Sequence, residues 1–402
     1  MVQSPRVLIV ADDLTGAMDS AGPFATFGIE TWVVAVPARC DPASVKSARV
    51  VALNTDTRHL PGPQAAVRVR EIVRHFGVGG FDVIVKKIDS TLRGNVVAET
   101  MALLDVSGRR EAVVAAAFPA QGRTVRGGVV HVDGTPLAHT DFANDALSPP
   151  PLAPLQQIFA AARPGLRVTA AAPSDAFAAG TDIWIADSEI DADLERIVRT
   201  VAVRMDSVLM VGSAGLTRAL ALVCCDEQAT PSIPQHITGP IVFAVGSRAS
   251  RSGDQVEFLA AEADTKVLRA ANGRLQGVDI PAARNLVLKA TSDDAGRERD
   301  AAHVAADMAK HAIEIARSAH AQALVATGGD TAMAILTASD NPAVQVLGDL
   351  MPGIAYARIH LGGAPIWLVT KAGGFGGRDA FREIARRLRA ETAPPASVQG
   401  HG

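Results

Sequence analysis

Val7-Leu8-Ile9-Val10-Ala11-Asp12-Asp13-Leu14-Thr15-Gly16-Ala17 passes from an unbroken apolar run into two carboxylates, a hydroxyl and a glycine. The run is the length of a strand buried on both faces, and the polar residues after it read as the opening of a helix. In open α/β sheets ligands bind outside the carboxyl ends of the strands, where such transitions lie. Three other segments repeat the form: Lys86-Lys87-Ile88-Asp89-Ser90-Thr91-Leu92-Arg93-Gly94-Asn95, Gly328-Gly329-Asp330-Thr331, and Lys371-Ala372-Gly373-Gly374-Phe375-Gly376. They imply two binding surfaces, one for a small polar acid and one for a nucleotide.

Outward from these segments, short β-branched runs alternate with longer amphipathic stretches, the rhythm of parallel strands and crossover helices. Strands are predicted at 6–11, 31–36, 49–53, 82–86, 111–116, 182–185 and 208–211. Helices are predicted at 15–27, 63–76, 95–104, 193–204 and 214–224. Residues 127–138, with paired glycines, the Asp133-Gly134 turn and alternating valines, predict a protruding β-hairpin. Segments 148–154 and 170–173 read as loops. Turn-forming residues at 226–239, Pro231 and Pro234 among them, mark a linker. Beyond it come strands at 241–245, 266–268, 285–289, 323–326, about 356–360 and 366–370, and helices at 250–261, 299–319, 331–337 and 379–389. The closing tail is expected to fray. The prediction is an α/β protein of two domains, 1–230 and 231–402, each a mainly parallel sheet flanked by helices.

A chain of 402 residues exceeds one ordinary core, which agrees with two domains. Its 48% hydrophobic and 20% charged residues suit a globular fold. A formal net charge of -3 gives no electrostatic reason to expect nucleic acid or an anionic membrane as partner. Cys40, Cys224 and Cys225 form neither a disulfide framework nor a metal-ligand spacing. No signal peptide and no apolar run of the ~20 residues needed to span a bilayer is seen. The expected setting is the cytoplasm.

Helix capping accounts for one member of the Asp12-Asp13 pair. The other, Asp12, is expected to accept hydrogen bonds from a polyol or to act as its base. Three cations, a carboxylate and two hydroxyls crowd the junction at 86–95, after a strand apolar on both faces. Buried strand ends hold cations where an anion arrives. The loop Asn54-Thr55-Asp56-Thr57-Arg58 adds an arginine able to fork onto a carboxylate. Gly122-Arg123-Thr124, after Phe118-Pro119, is a further cation at a neighbouring strand end. The second half suits phosphates, because glycines admit close backbone approach and helix N-termini present free N–H groups. Its loops are Gly246-Ser247, Thr327-Gly328-Gly329-Asp330-Thr331 and 371–377. No Walker A, dinucleotide or protein-kinase motif accompanies them. Gly212-Ser213-Ala214-Gly215-Leu216 fits close helix–strand packing as well as ligand contact. No histidine pair has metal-ligand spacing.

Ala-Asp-Asp-Leu-Thr-Gly-Ala, Lys-Lys-Ile-Asp-Ser-Thr-Leu-Arg-Gly-Asn, Phe-Pro-Ala-Gln-Gly-Arg-Thr, Gly-Ser-Ala-Gly-Leu, Gly-Gly-Asp-Thr and Lys-Ala-Gly-Gly-Phe-Gly occur here in one order. That series resembles the four-carbon acid sugar kinase family over nearly the whole chain. The resemblance implies an N-terminal domain for a tetronate-type acid, a C-terminal domain for ATP, and phosphorylation of the acid's terminal hydroxyl. By position, Asp12, Arg58, Lys87, Ile88, Asp89 and Ser90 would line the acid pocket. Ser247, Gly328, Gly329, Asp330, Thr331, Gly373, Gly374, Phe375 and Gly376 would line the ATP site. The second motif reads Lys-Lys-Ile-Asp-Ser-Thr, where 3-oxo-tetronate kinases carry Cys-Ser-Thr-Phe-Asp-Ser-Thr. It resembles the D-threonate branch, with other tetronates as alternatives. Arg126-Gly127 departs from the Asn-Gly expected in the hairpin. Mg²⁺ would bridge the ATP phosphates, with Asp12 and Asp330 the candidate bases. A homodimer is compatible with the family. The rival readings are a two-lobed sugar-acid sensor, which leaves the glycine loops without a purpose, and a nicotinamide-dependent dehydrogenase, which lacks its fingerprint.

Overall fold

A computed structural model describes residues 4–145, 147–173, 175, 180–225, 237–247, 249–275, 279–292 and 299–390. Residues 226–236 of the expected linker and the closing tail lie outside the described residues. The first half contributes β1 (Val7–Ala11), β2 (Thr31–Val34), β3 (Val50–Asn54), β4 (Val83–Lys87) and β5 (Glu111–Ala115). Then come β6 (Arg123–Arg126), β7 (Val129–Val132), β8 (Thr135–Pro136), β9 (Val168–Ala171), β10 (Ile183–Ala186) and β11 (Val208–Gly212). The second half adds β12 (Ile241–Val245), β13 (Thr265–Ala271), β14 (Asn285–Thr291) and β15 (Ala323–Thr327). It closes with β16 (Ala343–Met351), β17 (Ile354–Leu361) and β18 (Ala364–Lys371).

The two parallel blocks are parts of one 15-stranded sheet, ordered β13-β14-β12-β15-β18-β17-β16-β2-β3-β1-β4-β11-β5-β10-β9. Two antiparallel strands of the second half, β16 and β17, make the join, and β16 pairs with β2 from Ala343↔Val34 to Val346↔Thr31. The sequence pattern does not foresee this join. Strand β16 escapes that pattern, because Gly348 stands at one of its buried positions and apolar Leu347 and Met351 at its half-buried ones. Strand β9 also replaces part of the loop read at 170–173, as an edge strand beside β10. Along the ladder the parallel strands of the two halves run in opposite senses. Their carboxyl-end loops nonetheless meet, with Gly329 beside Asp13 and Phe375 edge-on to Phe118.

Central strands β1, β3, β4 and β11 are buried along their whole length, as a sheet covered on both faces requires. The helix Leu14–Thr26 starts on Asp13, whose carboxylate accepts the Gly16 N–H. It lies wedged between the first-half strands and β16–β17, so it is buried nearly all round. Gly22 permits that approach, since a Cβ there would lie 1.7 Å from Asp349 Oδ1. Helix Gly62–Phe76 is a surface helix, with Ala65, Val69 and Val73 inward at helical spacing and Gly77 ending it at φ +75°. One apolar cluster runs through both halves, and a second, around Phe243 and Phe381, fills the far face of the second half. Strands β6–β8 form a separate antiparallel sheet over the stretch read as a hairpin. Its Val125 is buried and bridges to Ser188, which ties the sheet down along one side.

Candidate active site

The first-half loops converge on a small open cleft. It is lined by Asp13, Arg58, Lys87, Asp89, Ser90 and Arg93 among others, with Ala372 and Phe375 reaching in from the second half. Each polar side chain stands at a strand's carboxyl end, where the chain leaves the ladder and its groups can face a ligand. Asp89 organises the loop after β4, accepting from Thr91 Oγ1 and, at 2.9 and 3.1 Å, from Arg93 Nε and Nη2. Burial works against its ionisation, yet Arg93 and Arg58 hold it well below the ordinary carboxylate range. Leu92, at φ +59°, carries the strain of this tight loop, held by its buried side chain and its N–H bond to Asp89 O.

Arg58 is the centre of the cleft's charge. Its Nε and Nη2 fork onto Asp12 at 2.7 and 3.1 Å, and Nη2 also reaches Asp13 Oδ1 at 2.7 Å. Asp12, expected to face the ligand, is 3% exposed, spends its carboxylate on this fork and does not line the cleft. Successive residues at a strand end point to opposite sides, and Asp13 has the cleft side. Burial pushes Asp13 up, but Arg58, Lys87 and the Thr15 hydroxyl hold it below its ordinary value. Lys87 lines the cleft with Nζ 3.9 Å from Asp19 Oδ1. Gly16 makes room for this group, since a Cβ there would stand 2.8 Å from Nζ. Ile88 faces the core instead, its N–H bonded to Gly212 O.

Asp19, Phe118, Ser213 and Ala214 also line the cleft; the sequence reading allowed ligand contact for the loop of Ser213 and Ala214 and gave Asp19 no role. Asp19 had a signal: it is the one charged residue in the helix Leu14–Thr26, which is buried nearly all round. Burial pushes it up to about 7 despite Lys87 nearby.

On the second half, the loops after β12, β15 and β18 crowd together. A Cβ on Gly373 would fall 2.1 Å from Ser247 Oγ, and one on Gly328 3.6 Å from Ser247 Cβ. Gly328, at φ +100°, caps the helix Gly329–Ala338, which puts Thr331 and Asp330 in its first turn. A Cβ on Gly329 would stand 3.0 Å from Asp13 Oδ2, so this helix start abuts the acid cleft. Burial, with Asp13 and Asp56 adding to it, pushes the Asp330 carboxyl up.

The loop 372–377 has its carbonyls turned inward. Lys371 Nζ donates to Ala372, Gly373 and Phe375 O, and Gln255 Nε2 to Phe375, Gly376 and Gly377 O. Ser252 Oγ adds a bond to Gly373 O. The Phe375 and Gly376 N–H groups are taken by Ala372 O and Gln121 Oε1, so an anion on the outer side would meet those of Gly373 and Gly374. Lys371 is fully buried, and burial together with Arg251 lowers it to about 7.

A family model described as a sugar-binding N-terminal domain matches residues 7–220, and one described as a nucleotide-binding C-terminal domain matches residues 242–381. A D-threonate kinase of Cupriavidus necator is 34% identical over 97% of this chain and 99% of its own length. A D-threonate kinase of Bordetella bronchiseptica is 32% identical over 96% and 98%. A 3-oxo-tetronate kinase of Methylobacterium radiotolerans is 33% identical over 92% and 96%. A crystal structure from Bordetella bronchiseptica, a domain-swapped dimer with bound citrate, is 31% identical over 97% of this chain and all of that one, with a TM-score of 0.50. Among the described residues no helix is long and apolar enough to cross a membrane.

Proposed function

This chain belongs to the four-carbon acid sugar kinase family, and on that premise we propose that it transfers the γ-phosphoryl group of ATP to the terminal hydroxyl of D-threonate. One observation carries the reading: the charged acid cleft opens directly onto the glycine loop, with Ala372 and Phe375 as common walls. The Lys-Lys-Ile-Asp-Ser-Thr form of the second motif and the two D-threonate kinase relatives favour D-threonate over other tetronates. Lys87 and Arg93 offer charge to the acid's carboxylate, while Asp89 and Ser90 face its hydroxyls. Arg58 acts through Asp12 and Asp13, and its charge keeps the cleft open to an anion.

The hydroxyl oxygen bonds to the γ-phosphorus as the bond to the β,γ-bridging oxygen breaks. The hydroxyl proton passes to a carboxylate, and ADP leaves. We assign that carboxylate to Asp13, which lines the acid cleft and abuts the nucleotide helix at Gly329. A divalent cation suits the charge here, because the burial and neighbouring carboxylates that raise Asp330 are offset by one. No group of three or more His, Cys, Asp or Glu among the described residues forms a metal cage. Mg²⁺ would therefore be held chiefly by phosphate oxygens, with Asp330 beside it. The proposed setting is the cytoplasm and the proposed assembly a homodimer, for which the domain-swapped Bordetella relative is the precedent.

A coupled ADP-release assay over D-threonate, D-erythronate, L-threonate and 3-oxo-tetronate tests the reading. D-threonate should give the highest kcat/KM. ADP release independent of every acid would refute it.

A further inference from the structure

Arg123 opens β6 and is 2% exposed, yet its Nε has no hydrogen-bond partner. Its Nη1 donates to Gln121 O. The carboxylates acting on it, Asp133 and Asp89, do so only from beyond ion-pair contact. A buried cation without a counter-ion is costly, and a fold that keeps one commonly does so where an anion arrives.

Its surroundings say which anion. The guanidinium lies over the ring of Phe375 at 5.7 Å and over that of Phe142 at 5.5 Å. Phe375 belongs to the glycine loop of the second half, and Phe118 meets it edge-on at 5.8 Å. The turn before Arg123 is clamped to the same loop. Gln121 Oε1 accepts the Gly376 N–H at 3.4 Å, and Gln121 Nε2 donates to Pro352 O at 2.8 Å. First-half residues thus hold Arg123 against the second-half nucleotide loop. On its other side stand Asp89 and Arg93 of the acid cleft, whose charges it feels. Arg251, in the first turn of helix Ser250–Ala260, repels both Arg123 and Lys371. Arg123 and the buried Lys371 both reach residues 373–375, and Arg251 acts on the two of them, an arrangement that a polyphosphate relieves.

We infer that Arg123, supplied by the sugar-binding half, is a catalytic residue that contacts the phosphoryl group in transfer. The inference rests on the kinase reading above. As the phosphorus moves from the bridging oxygen of ADP to the acid's hydroxyl oxygen, charge spreads over its equatorial oxygens. A guanidinium delivered from the acceptor's side stabilises that charge, and the fork geometry suits two of those oxygens. Because Arg123 arrives with the acid-binding half, the catalytic charge is complete only when the two halves are docked.

The test uses the full chain with Mg²⁺-ATP and D-threonate. Wild-type turnover establishes the kinase reading first. Arg123→Gln should then lower kcat on the order of 10³-fold, with KM for the acid within about threefold and ADP affinity, by calorimetry, within about tenfold. Arg123→Lys, which keeps the charge and guards against a folding defect, should retain more activity than the Gln variant but less than wild type. Added guanidinium should restore part of the rate of Arg123→Ala, which a packing role would not allow. A kcat within about threefold of wild type would overturn the inference. A raised acid KM with kcat intact would also overturn it, making Arg123 a carboxylate anchor. So would a loss of kcat that follows the thermal midpoint and resists guanidinium. A wild type that turns over no tetronate would overturn the kinase reading and this inference together.

Discussion

Arg58 carries more of the cleft's chemistry than its place in a loop suggests. It faces Asp12 and Asp13 at bonding distance and Asp89 at 4.0 Å, with only 11% of its side chain exposed. Removing one partner of a buried pair costs about 3–5 kcal/mol, since the other charge stays buried. Arg58→Ala should therefore lower the urea midpoint and raise the acid KM together. Adding Asp12→Asn should return part of the lost stability in a double-mutant cycle, and strict additivity would show that the two are not coupled. The Asp12-Asp13 pair was legible in the sequence, but not which member faces the ligand. That choice depends on an arginine 46 positions away from Asp12. Asp13→Asn should cut kcat by roughly 10²–10⁴ with little change in KM. Asp12→Asn should act mainly on KM, through Arg58. The opposite pattern would give the proton to Asp12. Asp19 makes a pH test. Its folded value of about 7 lies above the ordinary 3.8, so between these values the native state holds a proton that the unfolded state has released. Its contribution is complete below about pH 4 and is lost as pH rises through 7, at no more than ~1.4 kcal/mol per unit. Relative to wild type, Asp19→Asn should gain stability from pH 5 to pH 8. A constant difference would mean that Asp19 titrates normally.

Among the elements, the loop after β18 shows what a glycine-rich sequence conceals. Its glycines announced an anion site, but not the agents that shape it, because Lys371 reads as one more cation and Gln255 lies 116 residues earlier. Both are buried and both bind the loop's carbonyls. Replacing Lys371 by Met leaves three loop carbonyls without their donor, so the thermal midpoint should fall. Nucleotide binding should weaken at least tenfold, about 1.4 kcal/mol, as the loop loses its shape. Acid affinity should stay as it was. Calorimetry with ADP and with D-threonate separates the two, and unchanged ADP affinity would show that the glycines hold the loop unaided. Strands with uniform apolar runs, such as β1 and β15, were legible because burial on both faces needs no partner to be read. Strand β16 was not, since its pairing with β2 is a long-range event and Gly348 takes one of its buried positions while Leu347 takes a half-buried one.

At the scale of the molecule, the two halves are not lobes on a string. The β2–β16 ladder, the wedged helix Leu14–Thr26 and the Phe118–Ala214–Phe375 cluster bind them, with the exposed Arg39–Asp340 pair at 2.5 Å adding little. Phosphoryl transfer between separately bound substrates depends on holding hydroxyl and phosphorus in line. A misplacement of about 1 Å can cost 10²-fold. The ladder is thus a device for registration, and it can be tested apart from either binding site. Gln345 is exposed in the middle of β16, opposite Trp32 and remote from the cleft residues. A proline there resists the strand geometry at the join without touching a ligand-facing side chain. Acid and ADP affinities of Gln345→Pro, each measured alone, should remain within about threefold of wild type, while kcat falls by at least ~10². If both affinities collapse with the activity, the halves do not fold apart from the join. If kcat survives, registration comes from the wedged helix and the aromatic cluster, and the continuous sheet is a consequence of docking rather than its cause.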